Sequence, residues 1–284
     1  MKVAYYPGCS LHGTAKEYGQ SVKAVSRALG IELNEIEDWS CCGATSAHAT
    51  NFKLSVALPA RDLIKAQTGA EKEVMVPCAA CFNRLKSAQH HLEHDEVLRK
   101  EVEAIVGSEY KKESLEIRNP IDLIYNDIGL EELVAKVVKP LTGLKPVSYY
   151  GCLLLRPPKI CNFDNYENPV LLDKMMSAIG AEVKPWSYKT DCCGGSFTIS
   201  KTSIVNNMVD KLMRSAREAG ANCVVVACPV CMANLDMRAS AGLELPVFYF
   251  TELLALSFGL KESSDWWKLH GVDPSSLLKS LQLI

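Results

Sequence analysis

Ten of the twelve cysteines in this 284-residue chain repeat one pattern twice. Cys78 and Cys81 form a Cys-x2-Cys motif after the apolar run Val74-Met75-Val76-Pro77. Cys228 and Cys231 do the same after Val224-Val225-Val226-Ala227. Upstream of each motif lies an adjacent pair with a glycine, Cys41-Cys42-Gly43 and Cys192-Cys193-Gly194. Further upstream a single cysteine follows a glycine, Cys9 and Cys152. The thiols thus fall into two sets of five. Thiolates are soft metal ligands and redox nucleophiles. Disulfide pairing is the competing use. The stretch Met1–Pro7 has no apolar h-region and no small-residue cleavage site, so a reducing cytoplasm is expected and disulfides are not. Neighbouring cysteines also cannot bridge each other without strain. Metal or iron–sulfur ligation is the expected chemistry.

Five thiols overfill the usual sites. A structural zinc takes four ligands, and a cubane iron–sulfur cluster takes four cysteines. The fifth implies bridging ligation, a larger metal–sulfur cluster or a free redox thiol, and spacing alone leaves these open. Cys152 has a rival. Its spacing to the next pair is longer than that of Cys9, and Cys161 matches the shorter spacing better. Sequence context favours Cys152, because Tyr149-Tyr150-Gly151-Cys152 parallels Tyr5-Tyr6-Pro7-Gly8-Cys9. Cys223 opens a strand pattern about 16 Å from Cys228 at the usual rise, and reads as a small buried residue.

The elements that must position these thiols alternate between strand and helix. In the first half the patterns predict strands at 2–6, 31–39 and 73–76 and helices at 15–29, 47–67 and 79–91, with Pro59 kinking the second helix. In the second half they predict strands at 147–150, 182–188 and 223–227 and helices at 169–179, 200–219 and 233–240. A further echo pairs Pro120–Tyr125 with Pro246–Phe250. The pairs and the Cys-x2-Cys motifs recur at an offset of 150 or 151 residues, so a duplication with a boundary near residue 145 is expected. The expected fold is α/β: two tandem Rossmann-like units, 1–145 and 146–284, related by a pseudo-twofold. Each has a parallel sheet with cysteine loops at the carboxyl ends of its strands. Helix N-termini after those loops favour thiolate over thiol.

A net charge of -2 gives no footprint for nucleic acid. No apolar run reaches the roughly 20 residues of a membrane span. The mixed-charge stretch 91–112, with His90, His91 and His94 at its start, reads as a solvated helix and loop. The amphipathic tail 261–284 carries Trp266 and Trp267 and is either a packing element or a docking surface.

The cysteine pattern over residues 1–260 resembles the paired cysteine-rich CCG domains, and the whole chain resembles the B subunit of heterodisulfide reductase. The resemblance implies two noncubane [4Fe-4S] clusters. Cys9, Cys41, Cys42, Cys78 and Cys81 would hold one, and Cys152, Cys192, Cys193, Cys228 and Cys231 the other, with some thiolates bridging. It also implies reduction of a disulfide between the clusters. Such a reaction takes up two protons, which makes His12 and His48 candidate donors near Cys9 and Cys42. Lys189, close to Cys192, is a candidate for attracting an anionic substrate. Each of the three reads more simply as an ordinary surface side chain. The chain has no ferredoxin-type Cys-x2-Cys-x2-Cys-x3-Cys run and no Gly-x-Gly-x-x-Gly after a strand, hence no evident electron inlet and no flavin or nicotinamide site. The resemblance supplies the inlet through partners: a small ferredoxin-like protein and a larger flavin- and iron–sulfur-containing protein of the same complex, with a hydrogenase or formate dehydrogenase attached. Coenzyme M–coenzyme B disulfide implies methanogenesis, whereas a bacterial relative reduces another disulfide or works in a bifurcating complex. Two rivals remain open: an electron-transfer subunit of a flavin dehydrogenase, and a zinc-binding interaction module.

Overall fold

The computed structural model describes residues 1–44 and 47–284. The first half contains β1 (Lys2–Tyr5), α1 (Lys16–Ala28), β2 (Glu32–Glu35), α2 (Phe52–Ala66), β3 (Glu73–Met75), α3 (Ala79–His94), β4 (Glu116–Arg118) and α4 (Pro120–Leu123). The second contains β5 (Pro146–Tyr149), α5 (Leu171–Ala178), α6 (Thr202–Glu218), β6 (Cys223–Val226), α7 (Pro229–Arg238), β7 (Val247–Tyr249) and α8 (Phe250–Ser257). The strands form two sheets, ordered β2-β1-β3-β4 and β5-β6-β7, with every pairing parallel. These are tandem Rossmann-like units. Their central strands are buried on both faces, which is why they read as continuous apolar runs.

Three expectations need correction. The segment 182–188 forms no strand. It runs beside β5, with Glu182 N–H donating to Leu144 O and Lys184 N–H to Pro146 O. The next backbone donor in this parallel ladder would be the Trp186 N–H. The Trp186 indole N–H takes the next place and donates to Ser148 O at 2.9 Å. In the first half the backbone N–H of Ile36 reaches Tyr5 O at the corresponding step. Second, each half has a strand after its Cys-x2-Cys helix, β4 and β7, that the three-strand pattern omits. Third, Pro120 begins a helix after β4, whereas Pro246 precedes β7, so the echo between them is out of register. Pro59 lies inside α2, which continues through it.

The halves interlock reciprocally. Helix α1 packs on α8 of the other half, and α5 packs on α4. Ser21 and Thr251 share a 2.7 Å hydrogen bond across the first contact. Tyr18 stacks on Tyr249, centroids 4.1 Å apart and rings 4° from parallel. Its hydroxyl lies 3.1 Å from Pro77 O and 3.2 Å from Ala227 O. One buried side chain thereby ties the two carbonyls that precede Cys78 and Cys228.

The tail is a packing element. Trp266, Trp267, Leu278 and Leu283 are buried. Gly271 and Val272 N–H groups donate to Asp236, and His270 Nε2 lies 3.0 Å from Glu252 Oε1. Among the described residues no helix is long and apolar enough to cross a membrane.

Two outcomes follow from these ties. Tyr18→Phe removes the donor shared by two buried carbonyls and lowers unfolding free energy by about 1–2 kcal/mol, read from urea midpoints. For His270, burial pulls the imidazolium pKa down, but hydrogen bonding and charge from Glu252, with Asp236 and Glu17, hold it above the ordinary value. A raised folded pKa gives stability that is complete below about pH 6.5 and is lost as pH rises through the folded value. The melting temperature therefore falls as pH rises above about 6.5, and His270→Gln flattens that fall.

Candidate functional site

The site begins where β1, β3, β5 and β6 end. Each strand runs into a loop on the carboxyl edge of its sheet, and the cysteines stand at the start of the loop or of the next helix. Cys78 and Cys228 are the N-cap residues of α3 and α7. Cys81 and Cys231 lie one turn on. The adjacent pairs are held from beneath. Tyr6 donates its hydroxyl proton to Ser40 O at 2.6 Å, and Tyr149 to Asp191 O at 2.6 Å. These carbonyls immediately precede Cys41 and Cys192. Thus one tyrosine in each half fixes the entry to a Cys-Cys-Gly turn.

The thiols meet in pairs. Cys42 and Cys81 sulfurs are 3.4 Å apart, Cys9 and Cys41 3.8 Å, and Cys193 and Cys231 3.6 Å. Cys152 hydrogen-bonds to Cys192, whose sulfur also accepts the Gly194 N–H at 3.3 Å. The halves approach here as well, and Cys78 and Cys228 bias each other's ionisation in opposite directions. All twelve cysteines are free thiols. Cys9, Cys41 and Cys192 are exposed, Cys152 is half-buried, and Cys42, Cys78, Cys81, Cys193, Cys228 and Cys231 are buried.

Shared protons polarise these pairs. Hydrogen bonds from Cys41 and Cys81 pull Cys42 down to about 3. The hydrogen bond from Cys152 lowers Cys192 to about 6, with further help from Gly194 and Gly195 N–H groups. Cys228 is lowered by Cys231 and Cys78, and its partners Cys78 and Cys231 are raised. These bonds favour the thiolate on Cys42, Cys192 and Cys228 over their partners.

Two glycines permit the crowding. Gly8 has φ +69°, and a Cβ there would stand 2.8 Å from Cys81 Sγ. Gly151 has φ +68°, and its Cβ would stand 3.1 Å from Cys231 Sγ. Between the halves lies a cleft of about 110 Å3, lined by Cys152, Cys192, Cys193, Cys228 and Cys231 with Ala44, Ala79, Ala80, Leu153 and Val230. Among the described residues no Asp, Glu, Lys, Arg or His side chain lines it.

The other sequence candidates lie elsewhere. Cys161 is buried beneath Asn83, whose amide reaches its sulfur at 3.3 Å, and it lines a separate polar cavity. Cys223 is buried at the start of β6. His12 is drawn to Glu35 at 3.2 Å and packs edge-on to Trp39. His48 is exposed on the short helix Ala47–Thr50, and neither histidine lines the cleft. Lys189 is neither solvated nor open to an anion. It is buried, 2.8 Å from Asp173 Oδ1, and donates to Pro169 O at 3.0 Å. Tyr18, Tyr6 and Tyr149 were missed by sequence reasoning. A buried tyrosine gives no motif, although the shared Tyr-Tyr at both strand ends was a signal for two of them.

The donor set suits an iron–sulfur group. It offers soft thiols in fives, without carboxylate or imidazole among them, and glycines that let backbone approach the sulfurs. Among the described residues no three or more His, Cys, Asp or Glu side chains converge as they do around a single metal ion.

Two Rossmann-like units, each bringing five thiols to its sheet edge, define a duplicated cysteine-rich protein. The chain belongs to the CCG cysteine-rich domain family, which matches residues 3–86 and again 147–236. It is 31% identical to the 8-methylmenaquinol:fumarate reductase membrane anchor subunit of Wolinella succinogenes, over 90% of this chain and 92% of that one. It is 26% identical to the B subunit of the ferredoxin/F(420)H(2)-dependent CoB-CoM heterodisulfide reductase of Methanosarcina acetivorans, over 91% and 89%. A hypothetical protein from Helicobacter pylori shares the fold, with a TM-score of 0.73 at 11% identity over 95% of this chain. The chain spans about half, 51%, of that Helicobacter protein.

Glycine substitutions isolate the sulfur contact. Gly30→Ala, with φ +70° and open space around it, costs about 1–2 kcal/mol from backbone strain alone. Gly8→Ala meets the same strain and the Cys81 sulfur, so its thermal midpoint falls further.

Proposed function

We propose that the chain is the iron–sulfur subunit of a heterodisulfide reductase-type complex, reducing a disulfide to two thiols at two noncubane [4Fe-4S] clusters. Residues 1–145 hold one through Cys9, Cys41, Cys42, Cys78 and Cys81. Residues 146–284 hold the other through Cys152, Cys192, Cys193, Cys228 and Cys231. The observation that carries this reading is that all five cysteines of the second set line one small cleft, which Ala44, Ala79 and Ala80 of the first half's cysteine loops close from the other side. When bound, the clusters would supply the two electrons.

The chain's own residues do the rest. Leu153, Val230, Ala79 and Ala80 give the cleft apolar walls that exclude water from the sulfur atoms. The Gly194 N–H holds negative charge on Cys192. Gly8 and Gly151 admit the loops to the sulfurs. Cleavage takes up two electrons and two protons and yields two thiols. The protons come from solvent, to which Cys192 in the cleft lining is exposed. Electrons enter through a ferredoxin-like protein and a flavin-containing protein of the same complex.

A second reading has its own support. Identity to the quinol:fumarate reductase protein is 31%, against 26% for the heterodisulfide reductase one. A cleft whose described lining has no Asp, Glu, Lys, Arg or His also suits an apolar redox partner. In that reading the chain carries electrons within a flavin dehydrogenase complex and cleaves no disulfide.

Anaerobically purified protein is expected to hold about eight iron and eight acid-labile sulfide per chain, with Cys81→Ser and Cys231→Ser each losing one cluster's share. Disulfide turnover driven by reduced viologen, with a thiol-dependent change in the EPR spectrum, supports the first reading. Oxidation of the reduced protein by a menaquinone analogue, with no response to disulfide or thiol, moves the chain to the second. Zinc without sulfide sinks both.

A further inference from the structure

The two sheets end differently at one edge. Strand β2 pairs with β1 alone and stands at the edge of the first sheet. Glu32 N–H donates to Met1 O and Ile36 N–H to Tyr5 O. The alternating residues Leu33 and Glu35 therefore turn their backbone N–H and C=O groups outward. Among the described residues those two N–H groups have no partner. In the second half the segment 182–188 takes the same place beside β5, with Glu182 N–H and Lys184 N–H turned inward. The outward positions there are Val183 and Pro185, and a proline brings no N–H. Proline on the outer side of an edge strand blocks the addition of another strand. Glu35 lies three residues after Glu32, as Pro185 lies three after Glu182. The second half thus protects its edge where the first half leaves one open.

Beside the open edge lies a groove of about 540 Å3. It is lined by Tyr5, by Lys23 and Arg27 of α1, and by Glu32, Leu33 and Glu35 of β2. Tyr5 is buried, and its hydroxyl has no hydrogen-bond partner among the described residues. A strand laid beside β2 sends alternate side chains to the α1 side of the sheet, into this groove. The charges of the groove are not all matched. Glu32 bonds Lys2 at 3.0 Å, and Glu35 holds Lys23 at 3.3 Å and His12 at 3.2 Å. Arg27 also lines a second groove with Glu262 and Asp265, of which Asp265 is taken by Lys268 at 2.7 Å. Among the described residues no carboxylate lies in ion-pair reach of Arg27.

We infer that the open edge of β2 is a docking site for an extended segment of a partner protein, added as a further strand with an acidic side chain set against Arg27. The backbone of the segment pairs with the outward groups of Leu33 and Glu35, and its alternate side chains enter the groove beside α1. The unmatched guanidinium selects an acidic segment over a neutral or basic one. None of these residues lines the cysteine cleft, and docking at β2 needs no particular redox chemistry there.

The test uses the full chain and three fluorescein-labelled acetylated hexapeptides, Thr-Val-Xaa-Val-Thr-Val with Glu, Ala or Lys at Xaa, read by fluorescence polarisation. The expected order of affinity is Glu above Ala above Lys, with the Glu and Lys peptides about tenfold apart. Arg27→Glu reverses that order. Leu33→Pro copies the Pro185 device and leaves the inward N–H groups in place, so it abolishes binding, whereas Leu33→Ala retains it. The Glu peptide N-methylated at every amide keeps its side chains and does not bind, a result independent of how Leu33→Pro folds. Hydrogen exchange shows the Leu33 and Glu35 amides protected by the Glu peptide. Absence of saturable binding by the Glu peptide overturns the inference, as does binding that Arg27→Glu leaves unchanged or that protects other amides instead. Protection of Leu33 and Glu35 that grows with protein concentration, without peptide, gives the edge to a second copy of the chain and overturns the choice of a partner protein.

Discussion

The tie that brings Cys78 and Cys228 together, one Tyr18 hydroxyl between the carbonyls that precede them, is the constraint on which the rest of the structure depends. Two buried thiols from opposite halves of a chain meet only if two sheet edges face each other, and several features serve that facing. The Tyr18 hydroxyl spans Pro77 O and Ala227 O, one residue before each thiol. Helix α1 carries Tyr18 into the other half and packs on α8, while α5 returns the contact against α4. Removing one of these contacts changes the distance between the thiol sets before it changes either set. The sulfur chemistry is therefore a property of the interface, although every ligand candidate belongs to a local loop.

Burying sulfur in this way has an electrostatic cost, and the loops offset it with backbone. Cys78 and Cys228 cap helices, where free N–H groups and the helix dipole favour a thiolate. Gly194 N–H donates to Cys192, and left-handed glycines close each Cys-Cys-Gly turn. Nor does acid crowd the sulfurs. From each leading cysteine the segments 9–16, 41–55, 78–92, 152–163, 192–204 and 228–235 contain no Asp or Glu, although the chain has 33. An acid in these segments would add to charge the thiolates already bring. Its exclusion fits a site that gains negative charge during its work.

Sequence reading recovered what periodicity and spacing encode. Parallel strands, the duplication and the convergence of loops at one sheet edge were legible because apolar runs of Val and Met are followed at once by cysteines. It failed where one residue replaces another's role across space. The backbone ladder that the pattern of 182–188 predicts stops after Lys184, and the Trp186 indole N–H takes its next place. Lys189 looks like a surface cation in sequence, and only the fold brings Asp173 beneath it. His12 stands three residues from Cys9, yet Glu35 on the neighbouring strand claims it. Tyr18 lies in an ordinary helical stretch, and its value comes from a second half that begins more than a hundred residues later. Each miss is a tertiary partner that no local pattern contains.

Duplication supplies symmetry, and the chain departs from it at particular places. The fold keeps the symmetric parts that geometry needs: Tyr6 with Tyr149, Gly8 with Gly151, Cys78 with Cys228. It departs from symmetry where charge is concerned, with Arg84 against Asn234. It departs also on the axis itself, where Tyr18 from one half serves both carbonyls. The same scaffold thus holds two chemically matched sets of thiols in matched positions, while one tyrosine belonging to a single half ties both.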